Sequence, residues 1–366
     1  MRLCYILLSP TWGMHQYTAD LANRMVADEW EVHLVTTTHA PRDRYAPEVA
    51  IHTPVASRDT GFSLAAISRG PSAVHRLASI IRRLKPDLVH FSGPHLWNPI
   101  LMGMLQRAGV PVVHTLHDLH PHAGAIYGRL LYPWNAWVWR RADHLLIHGN
   151  RYREELSARG VEAARMTCTP LTFLFLSYAR EQALLASSTP IQYEPWALFF
   201  GRLEIYKGLT VLVEAARLVD RNRCGIVVAG PGSRDRLGQE ELPNNVQLHD
   251  RLVDNGEAID LFTRCGLLVM PYVEASQSGL VASAYYFLKP VIVTRVGALP
   301  EYVVDGETGW VIPPGDPEVL ANVLQETLGD PDRLARMGSA GRAWYEQERR
   351  AEGETLRAMY AGLVHP

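Results

Sequence analysis

Two cations follow an apolar run near the middle of the chain, and their spacing suits the binding of a diphosphate. Residues 196–201 read as a strand, Arg202 follows it, and Lys207 comes just before a segment of helical periodicity. Arginine offers a bidentate donor, lysine a compact positive charge and a helix N-terminus free N–H groups. At this spacing all three groups converge on one point, where a diphosphate could bind. The alternative is a solvated loop with two surface cations.

Two further glycine-bearing loops follow strand-like runs in the same half. One is the turn at residues 230–232, and the other runs from Pro271 to a predicted helix at 280–287. An anion at one helix N-terminus gains only roughly 0.3–2 kcal/mol, so the three loops must act together to hold a phosphorylated ligand. Ser278 suits a helix N-cap, and a glycine lets a ligand approach the backbone. The candidate ligand-binding residues are Gly201, Gly230, Gly232, Ser278, Gly279 and Leu280.

A run of histidines ends an apolar segment in the first half of the chain. Residues 114–122 read His-Thr-Leu-His-Asp-Leu-His-Pro-His. A metal site, a set of structural histidines and a contact to substrate are the three readings. The spacing differs from the i, i+4 pattern of helical metal motifs, which weighs against the metal site.

Apolar runs alternate with amphipathic segments along most of the chain. In the first half we predict strands at 2–8, 31–36, 88–92, 111–117 and 144–148, with helices at 15–28, 99–107 and 150–159. Residues 168–193 break the pattern and contain the predicted hinge, after which the alternation restarts. The last predicted helices are 317–328, 331–345 and 352–363. This pattern predicts two doubly wound α/β domains, whose ligands bind at the carboxyl ends of the strands.

Composition narrows the class of protein. The chain has 366 residues, 47% hydrophobic and 20% charged, with a net charge of −2, which predicts a globular protein of about two domains with no general attraction to nucleic acid. Residues 1–180 carry a net charge of +6 and residues 181–366 one of −8, which indicates different partners. The four cysteines form no CxxC pair, and no apolar run is long enough to span a membrane. We expect a cytoplasmic protein.

Several motifs, in this order, resemble one family. They are Gly201-Arg202-Leu203-x-x-x-Lys207-Gly208, the turn at 230–232, Lys289-Pro290-Val291-Ile292 and the glycine-punctuated residues 297–309. Together they resemble the C-terminal half of the family 4 retaining glycosyltransferases. The resemblance implies the α/β GT-B fold, with two Rossmann-like domains facing each other across a cleft. It also implies a nucleoside-diphosphate sugar donor, a UDP-sugar rather than a GDP-sugar, whose diphosphate Arg202 and Lys207 hold without a metal or other cofactor.

One motif departs from the family. Members usually carry two glutamates eight positions apart, and counting back from Lys289 places Ala275 and Ser283 at those positions. Glu274 is then a displaced replacement for the first glutamate. Ser283 offers one weaker hydrogen bond where the second glutamate usually holds the ribose. Residues 276–279 resemble a recognised subset of the family.

The resemblance assigns the first half to the acceptor. The family commonly has a glycine-rich loop after the first strand that faces both the diphosphate and the acceptor. This chain has Trp12 and Gly13 there, with Gly13 the candidate donor-binding residue, and the bulky Trp12 indicates an altered floor of the acceptor site. His15 is either a surface residue of this loop or an acceptor contact. The family also has a histidine at a strand end that meets the transferred sugar. His117 fits that position, and Asp118 either orients it or contacts the acceptor.

We therefore predict a glycosyltransferase that transfers a sugar to a hydroxyl of a glycan, a lipid-linked molecule or a small molecule, in polysaccharide or glycoconjugate biosynthesis. Retention implies that the leaving diphosphate takes the acceptor's proton, so the enzyme supplies positioning and electrostatic stabilisation. The predicted catalytic residues are His117, Arg202, Lys207 and Glu274. The alternatives are a nucleotide-sugar-binding protein without turnover and a sugar-nucleotide epimerase of the same fold.

Two expectations concern regions rather than single residues. Residues 126–141 hold three tryptophans beside three arginines, which suits either a core helix or peripheral contact with the inner face of an anionic membrane. The predicted domains are an acceptor-binding domain at 1–180, a nucleotide-sugar-binding domain at 181–345 and, at 346–366, a helix that returns to the first domain.

Overall fold

The computed structural model describes residues 1–9, 11–57, 64–120, 128–186, 190–238 and 241–365. Within these ranges the strands form two separate parallel sheets with helices packed against them, so the predicted pair of doubly wound α/β units is confirmed. Parts of the histidine run (121–122), of the aromatic segment (126–127) and of the predicted hinge (187–189) lie outside the described residues.

The first sheet has the strand order β3-β2-β1-β4-β5-β6-β7. Its strands are β1 (Arg2–Leu7), β2 (Glu31–Thr37), β3 (Ala50–Val55), β4 (Leu88–Phe91), β5 (Val112–Leu116), β6 (His144–Ile147) and β7 (Met166–Cys168). The helices that connect them are α1 (Trp12–Ala27), α2 (Leu64–Leu84), α3 (Asn98–Arg107), α4 (Gly128–Arg141) and α5 (Asn150–Ala158). Because every pairing is parallel, the carboxyl ends of the strands share one edge.

The second sheet has the order β10-β9-β8-β11-β12-β13. Its strands are β8 (Trp196–Phe200), β9 (Gly225–Ala229), β10 (Val246–His249), β11 (Leu267–Met270), β12 (Val291–Thr294) and β13 (Gly309–Ile312). The later helices are α6 (Tyr178–Leu185), α7 (Leu209–Leu218), α8 (Asn255–Arg264), α9 (Leu280–Tyr286), α10 (Pro317–Thr327) and α11 (Pro331–Val364). β11 and β12 are buried along their whole length, as expected of strands covered on both faces.

Three of the later helices begin at an aspartate whose carboxylate accepts hydrogen bonds from otherwise unpaired backbone N–H groups of the first turn. Asp254 accepts from two N–H groups of α8, Asp316 from one of α10 and Asp330 from one of α11. Local sequence therefore sets where these helices start.

The C-terminal segment forms one helix, which corrects the prediction of two helices at 331–345 and 352–363. α11 runs without a break from Pro331 to Val364. Its early part packs against α9, whereas Arg349 pairs with Asp20 of α1 at 2.6 Å and the Tyr360 hydroxyl lies 2.7 Å from His90 Nδ1 of β4. The helix therefore contacts both sheets' units, and the domain boundaries at 180 and 345 stay predictions.

None of the helices in the described ranges is both long and apolar enough to cross a membrane. The predicted hinge segment, 168–193, contains a short helix, α6, which apolar periodicity did not indicate.

Candidate functional site

The turn between β8 and α7 buries a lysine without an acidic partner. The Lys207 side chain is 8% exposed, and its Nζ lies 5.9 Å from the centre of the Phe199 ring and 5.5 Å from that of Tyr272. Burial and the nearby Arg202 charge lower the pKa of Lys207 to about 8, against the smaller opposing effect of the Glu204 carboxylate. No carboxylate among the described residues forms an ion pair with it, and burying an unpaired charge costs free energy. An anionic ligand would compensate that cost.

Arg202, the second predicted cation, lies at the surface. Its guanidinium is 66% exposed and is 3.5 Å from the Glu204 carboxylate, an exposed contact that contributes little to stability. One cation of the motif is therefore buried, and the other is exposed at the surface. The alternative prediction, a solvated loop with two surface cations, fits the exposed Arg202 but not the buried Lys207.

The loops after β8 and β9 touch through their glycines. A Cβ on Gly230 would lie 2.2 Å from the Gly201 carbonyl oxygen, so only glycine fits. The Gly201 N–H donates to Ala229 O at 2.9 Å, and Leu203 pairs with Gly232 as an isolated bridge. The structure thus brings the three predicted glycines together at the carboxyl ends of adjacent strands.

The loop after β11 joins the same site. Gly208 has a φ of +68°, and a Cβ there would lie 1.9 Å from Pro271 O. The Val273 N–H donates to Tyr206 O at 2.8 Å, and the Glu274 N–H to the same oxygen at 3.3 Å, with the Glu274 side chain exposed. The loop that carries Lys207 and the loop that carries Glu274 are therefore held together by backbone contacts.

The start of α9 differs in detail from the prediction. Gly279 is the N-cap, while the Ser278 hydroxyl accepts the Leu280 N–H at 3.3 Å. The Leu280 side chain reaches toward Gly201, 3.8 Å from where a Cβ would stand. Ser283 is 1% exposed, and its hydroxyl donates to Gly279 O at 3.4 Å, so it points back into the helix. Its predicted ribose contact stays a prediction.

The predicted loop at Trp12, Gly13 and His15 is the first turn of α1, which corrects the sequence-based assignment. Trp12 is 47% exposed and lies under the Arg44 guanidinium at 4.3 Å, and Gly13 is exposed. His15 is buried, its Nδ1 lies 2.9 Å from the Tyr45 hydroxyl, and burial lowers its pKa to about 4. His15 is therefore not a surface residue, and its acceptor role stays a prediction.

The histidine run divides by environment. His114 lies within β5, with both ring nitrogens hydrogen-bonded, and His120 is exposed beside Glu155. His117 follows β5 and is buried, with its Nε2 2.9 Å from Ser92 O. Burial lowers the pKa of His117, against opposing effects of the Ser92 hydrogen bond and the half-buried Asp118. Ser92 rather than Asp118 provides the hydrogen bond that orients the ring.

No three metal-binding side chains cluster as a metal site in the described part of the chain. Lys289 is fully buried and donates to Gln192 O above the Tyr193 ring, so it holds the chain before β8 in place. In α4, Trp139 is 4% exposed, and Trp134 and Trp137 are partly buried against the core.

Contacts between the two sheets' units come from residues to which the sequence analysis gave no such role. The Glu301 carboxylate accepts the Asn150 N–H at 2.7 Å, and the Tyr302 hydroxyl donates to His148 O at 2.8 Å. A Cβ on Gly279 would lie 2.6 Å from the ring of Phe173, which follows β7. The one signal for these contacts in the sequence was His148, which follows β6 as His117 follows β5.

The two halves of the chain match two family models. Residues 13–172 match the model of the glycosyl transferase 4-like domain, and residues 194–330 match that of the glycosyl transferases group 1. The D-inositol 3-phosphate glycosyltransferase of Streptomyces avermitilis is 29% identical over 377 residues, covering 90% of this chain and 78% of the relative. A glycogen synthase of Mycobacterium tuberculosis is 26% identical over 273 residues, covering 71% and 64%.

Solved structures share the architecture. A sucrose-phosphate synthase from Thermosynechococcus elongatus superposes with a TM-score of 0.74 at 19% identity, covering 99% of this chain and all of the other. Anabaena HepE in complex with UDP-glucose gives a TM-score of 0.73 at 15% identity, covering 99% and 100%. The protein therefore has the GT-B fold. With both halves matched by glycosyltransferase models, the chain belongs to the family 4 glycosyltransferases.

Proposed function

We propose that this glycosyltransferase transfers a sugar, with retention and without a divalent metal, from a nucleoside-diphosphate sugar to a hydroxyl acceptor in polysaccharide or glycoconjugate assembly. The observation that carries the proposal is Lys207, a buried ammonium without an acidic partner in the described ranges. It lies where three strand-end loops meet, beside the exposed cation Arg202. A diphosphate has the charge that this place requires.

The reaction we propose occurs on one face of the sugar. The bond between the anomeric carbon and the diphosphate oxygen breaks, and the acceptor oxygen bonds to the same face of that carbon. The acceptor's proton passes to the leaving phosphate oxygen. Lys207 and Arg202 stabilise the negative charge that develops on the leaving diphosphate. This electrostatic stabilisation is the larger part of the rate enhancement when no general base is used. His117 contacts the sugar, and Glu274 takes the role of the first family glutamate.

The donor base is proposed as uracil. Solved relatives include Anabaena HepE in complexes with UDP-glucose and with UDP, which supports a UDP-sugar. Gly201, Gly230 and Gly232 place no side chain where the three loops meet, and Gly232 is exposed there. Ser283 points back into its helix and leaves the ribose to other contacts. Contact with an anionic membrane or a lipid-linked acceptor stays a prediction that rests on the +6 charge of residues 1–180.

Thermal unfolding in the presence of UDP, GDP, ADP and TDP, each with EDTA and with magnesium, tests the donor site. A nucleotide at 100 times its Kd stabilises the protein by about 2.7 kcal/mol. We expect the largest stabilisation from UDP, unchanged by EDTA and lost in Arg202→Ala. Arg223→Ala, an exposed arginine of the same half, is the matched control. Stabilisation without transfer to any acceptor would favour the non-catalytic binding protein, and no stabilisation by any nucleotide would overturn the proposal.

A further inference from the structure

Two of the buried histidines in the first sheet are fully satisfied by protein groups. His90 Nδ1 lies 2.7 Å from the Tyr360 hydroxyl and its Nε2 lies 2.7 Å from Thr115 Oγ1. His114 Nε2 pairs with the Asn98 amide at 3.1 Å, and its Nδ1 donates to Thr115 O at 2.8 Å. Both rings have a structural role within the sheet, because neither has a free nitrogen.

His117 and His148 differ from these two in the same way. His117 Nε2 lies 2.9 Å from Ser92 O, and His148 Nδ1 lies 3.0 Å from Thr169 O. A carbonyl oxygen only accepts, so those nitrogens carry the protons and fix the tautomers. The opposite nitrogens, His117 Nδ1 and His148 Nε2, are buried without a hydrogen-bond partner among the described residues.

These two bare nitrogens belong to neighbouring rings. The ring centres of His117 and His148 are 5.7 Å apart, and the Tyr17 ring packs edge-on against both, at 4.7 and 5.2 Å. The Tyr17 hydroxyl lies 3.1 Å from Thr115 Oγ1, so it serves neither ring. His15 Nε2 is also bare, but its ring packs against Tyr45 instead.

The pair lies at the edge of the first sheet that faces the second. His117 follows β5, and His148 follows the neighbouring strand β6. The Tyr302 hydroxyl of the second unit donates to the backbone oxygen of His148 at 2.8 Å. Ligands of parallel α/β sheets bind at this edge. The two bare nitrogens have no exposed surface in this structure.

We propose that His117 and His148 form a hydroxyl-binding pair, in which each bare nitrogen accepts an O–H group of the transferred sugar or of the acceptor. This inference rests on the proposed function and adds His148 as a substrate contact. The ligand groups at this spot must be donors, because an imidazole lone pair repels phosphate and carboxylate oxygens. The chemical class is therefore a neutral polyol segment.

The protonation state of the His117 and His148 rings agrees with a neutral polyol as the ligand. Burial lowers the pKa of His117, and burial together with the neighbouring His117 lowers that of His148 to about 3. Both rings are therefore neutral at pH 7 and cannot attract an anion. A phosphorylated acceptor would have to place its phosphate elsewhere.

Nitrogen NMR of the full chain with ¹⁵N-labelled histidine tests the pair directly. We expect His117 protonated at Nε2, His148 protonated at Nδ1, and both rings neutral at pH 7. UDP alone should leave the two bare nitrogens unchanged. UDP-glucose should shift them if the hydroxyls come from the donor sugar, and UDP with myo-inositol should shift them if they come from the acceptor. If UDP binds and neither probe moves either nitrogen, the inference is wrong.

Calorimetry on variants gives the second readout. His148→Leu should lose about tenfold in affinity for whichever probe shifts the spectrum, whereas His148→Gln, which keeps an acceptor, should lose less than threefold. The affinity for UDP should stay unchanged in both variants. His144→Leu, at the other end of β6, is the matched control. Equal losses in the His148 and His144 variants would overturn the inference, whereas a failure of UDP to bind the unmodified chain would contradict the proposed function instead.

Discussion

The Glu301 carboxylate accepts a 2.7 Å hydrogen bond from the backbone N–H of Asn150, although 151 residues separate the two along the chain. Its other oxygen accepts the Arg151 N–H at 3.2 Å. The N-cap of α5 is Gly149, which has no side chain to satisfy these N–H groups. A residue next to the second sheet therefore caps a helix of the first unit and holds the two together.

Glu301→Ala should loosen this contact. Losing a helix cap costs about 1 kcal/mol, so we expect a decrease of that size in the free energy of unfolding, measured by urea denaturation. Small-angle X-ray scattering should also show a larger radius of gyration. Glu307→Ala, at an exposed turn nearby, is the control and should change neither quantity. An unchanged radius for Glu301→Ala would mean that other contacts hold the units together.

Lys207→Met should make the unliganded protein more stable and abolish UDP binding. Burial lowers the pKa of Lys207 from 10.5 to about 8, and that gap corresponds to a penalty of about 3 kcal/mol for the charged form. Methionine removes the charge and keeps the apolar stem. Lys289→Met is the matched control, because Lys289 donates to Gln192 O and serves the fold. Burial lowers the pKa of Lys289 to about 8 as well, so the control should also gain stability, reduced by the loss of its hydrogen bond to Gln192 O, while its UDP affinity stays unchanged.

The same lysine predicts a pH dependence. Because its folded-state pKa is lowered, the penalty is full below pH 8 and disappears as the pH rises from about 8 to 10.5. The stability advantage of Lys207→Met should therefore shrink across that window. UDP affinity of the unmodified enzyme should fall above pH 8, where the ammonium loses its proton. Titration calorimetry at pH 7, 8 and 9 measures this, and a flat profile would exclude Lys207 from the donor site.

Alanine substitutions at Gly208 and Gly306 distinguish the stability cost of backbone strain from that of a steric clash. Both have positive φ, +68° and +80°, but a Cβ on Gly208 would lie 1.9 Å from Pro271 O, while one on Gly306 meets nothing within 4 Å. Gly306→Ala should therefore cost only the left-handed penalty of about 1 kcal/mol. Gly208→Ala should cost at least about 3 kcal/mol, because backbone must move. Equal urea-denaturation midpoints for the two variants would show that the loop after β11 shifts at little cost in free energy.

The residues that could be predicted from sequence are those whose spacing reflects local geometry. Apolar runs predicted β1 and β8 because buried parallel strands need continuous hydrophobicity. Gly201 and Lys207 could be found because a tight turn and a helix start fix their separation. The first turn of α1 was missed, because Trp12 and Gly13 favour no helix by themselves. Contacts with Arg44 and Tyr45, distant in sequence, stabilise that turn.

Residues that act between the two units could not be predicted in this way. Phe173 belongs to no motif, and Glu301 was noticed only as part of the glycine-punctuated residues 297–309. Their partners, Gly279 and Asn150, are known only once the sheets face each other. Residues 346–351, between the two helices predicted at the C-terminus, are helical in the structure, where Arg349 and Glu352 pair with charged residues of α1.

Asp20 and Asp28 provide the final test, because both lie at α1 and pair with arginines of α11 in different environments. Asp20 is 8% exposed and pairs with Arg349 at 2.6 Å, whereas Asp28 is 27% exposed and pairs with Arg357 at 3.0 Å. Burial alone would raise the pKa of Asp20, but Arg24 and Arg349 outweigh it and lower the pKa to about 2. Removing one partner of a buried ion pair strands the other charge.

Asp20→Asn should therefore cost about 3–5 kcal/mol, and Asp28→Asn less than about 1 kcal/mol. Trypsin should cleave α11 faster in the first variant only, since Arg349 loses its main anchor on α1 while the surface pair at Asp28 contributes little. Urea denaturation and timed proteolysis of both variants provide the comparison. Similar losses in the two would mean that the Arg24–Glu352 pair, at 3.0 Å, anchors the C-terminal helix without Asp20.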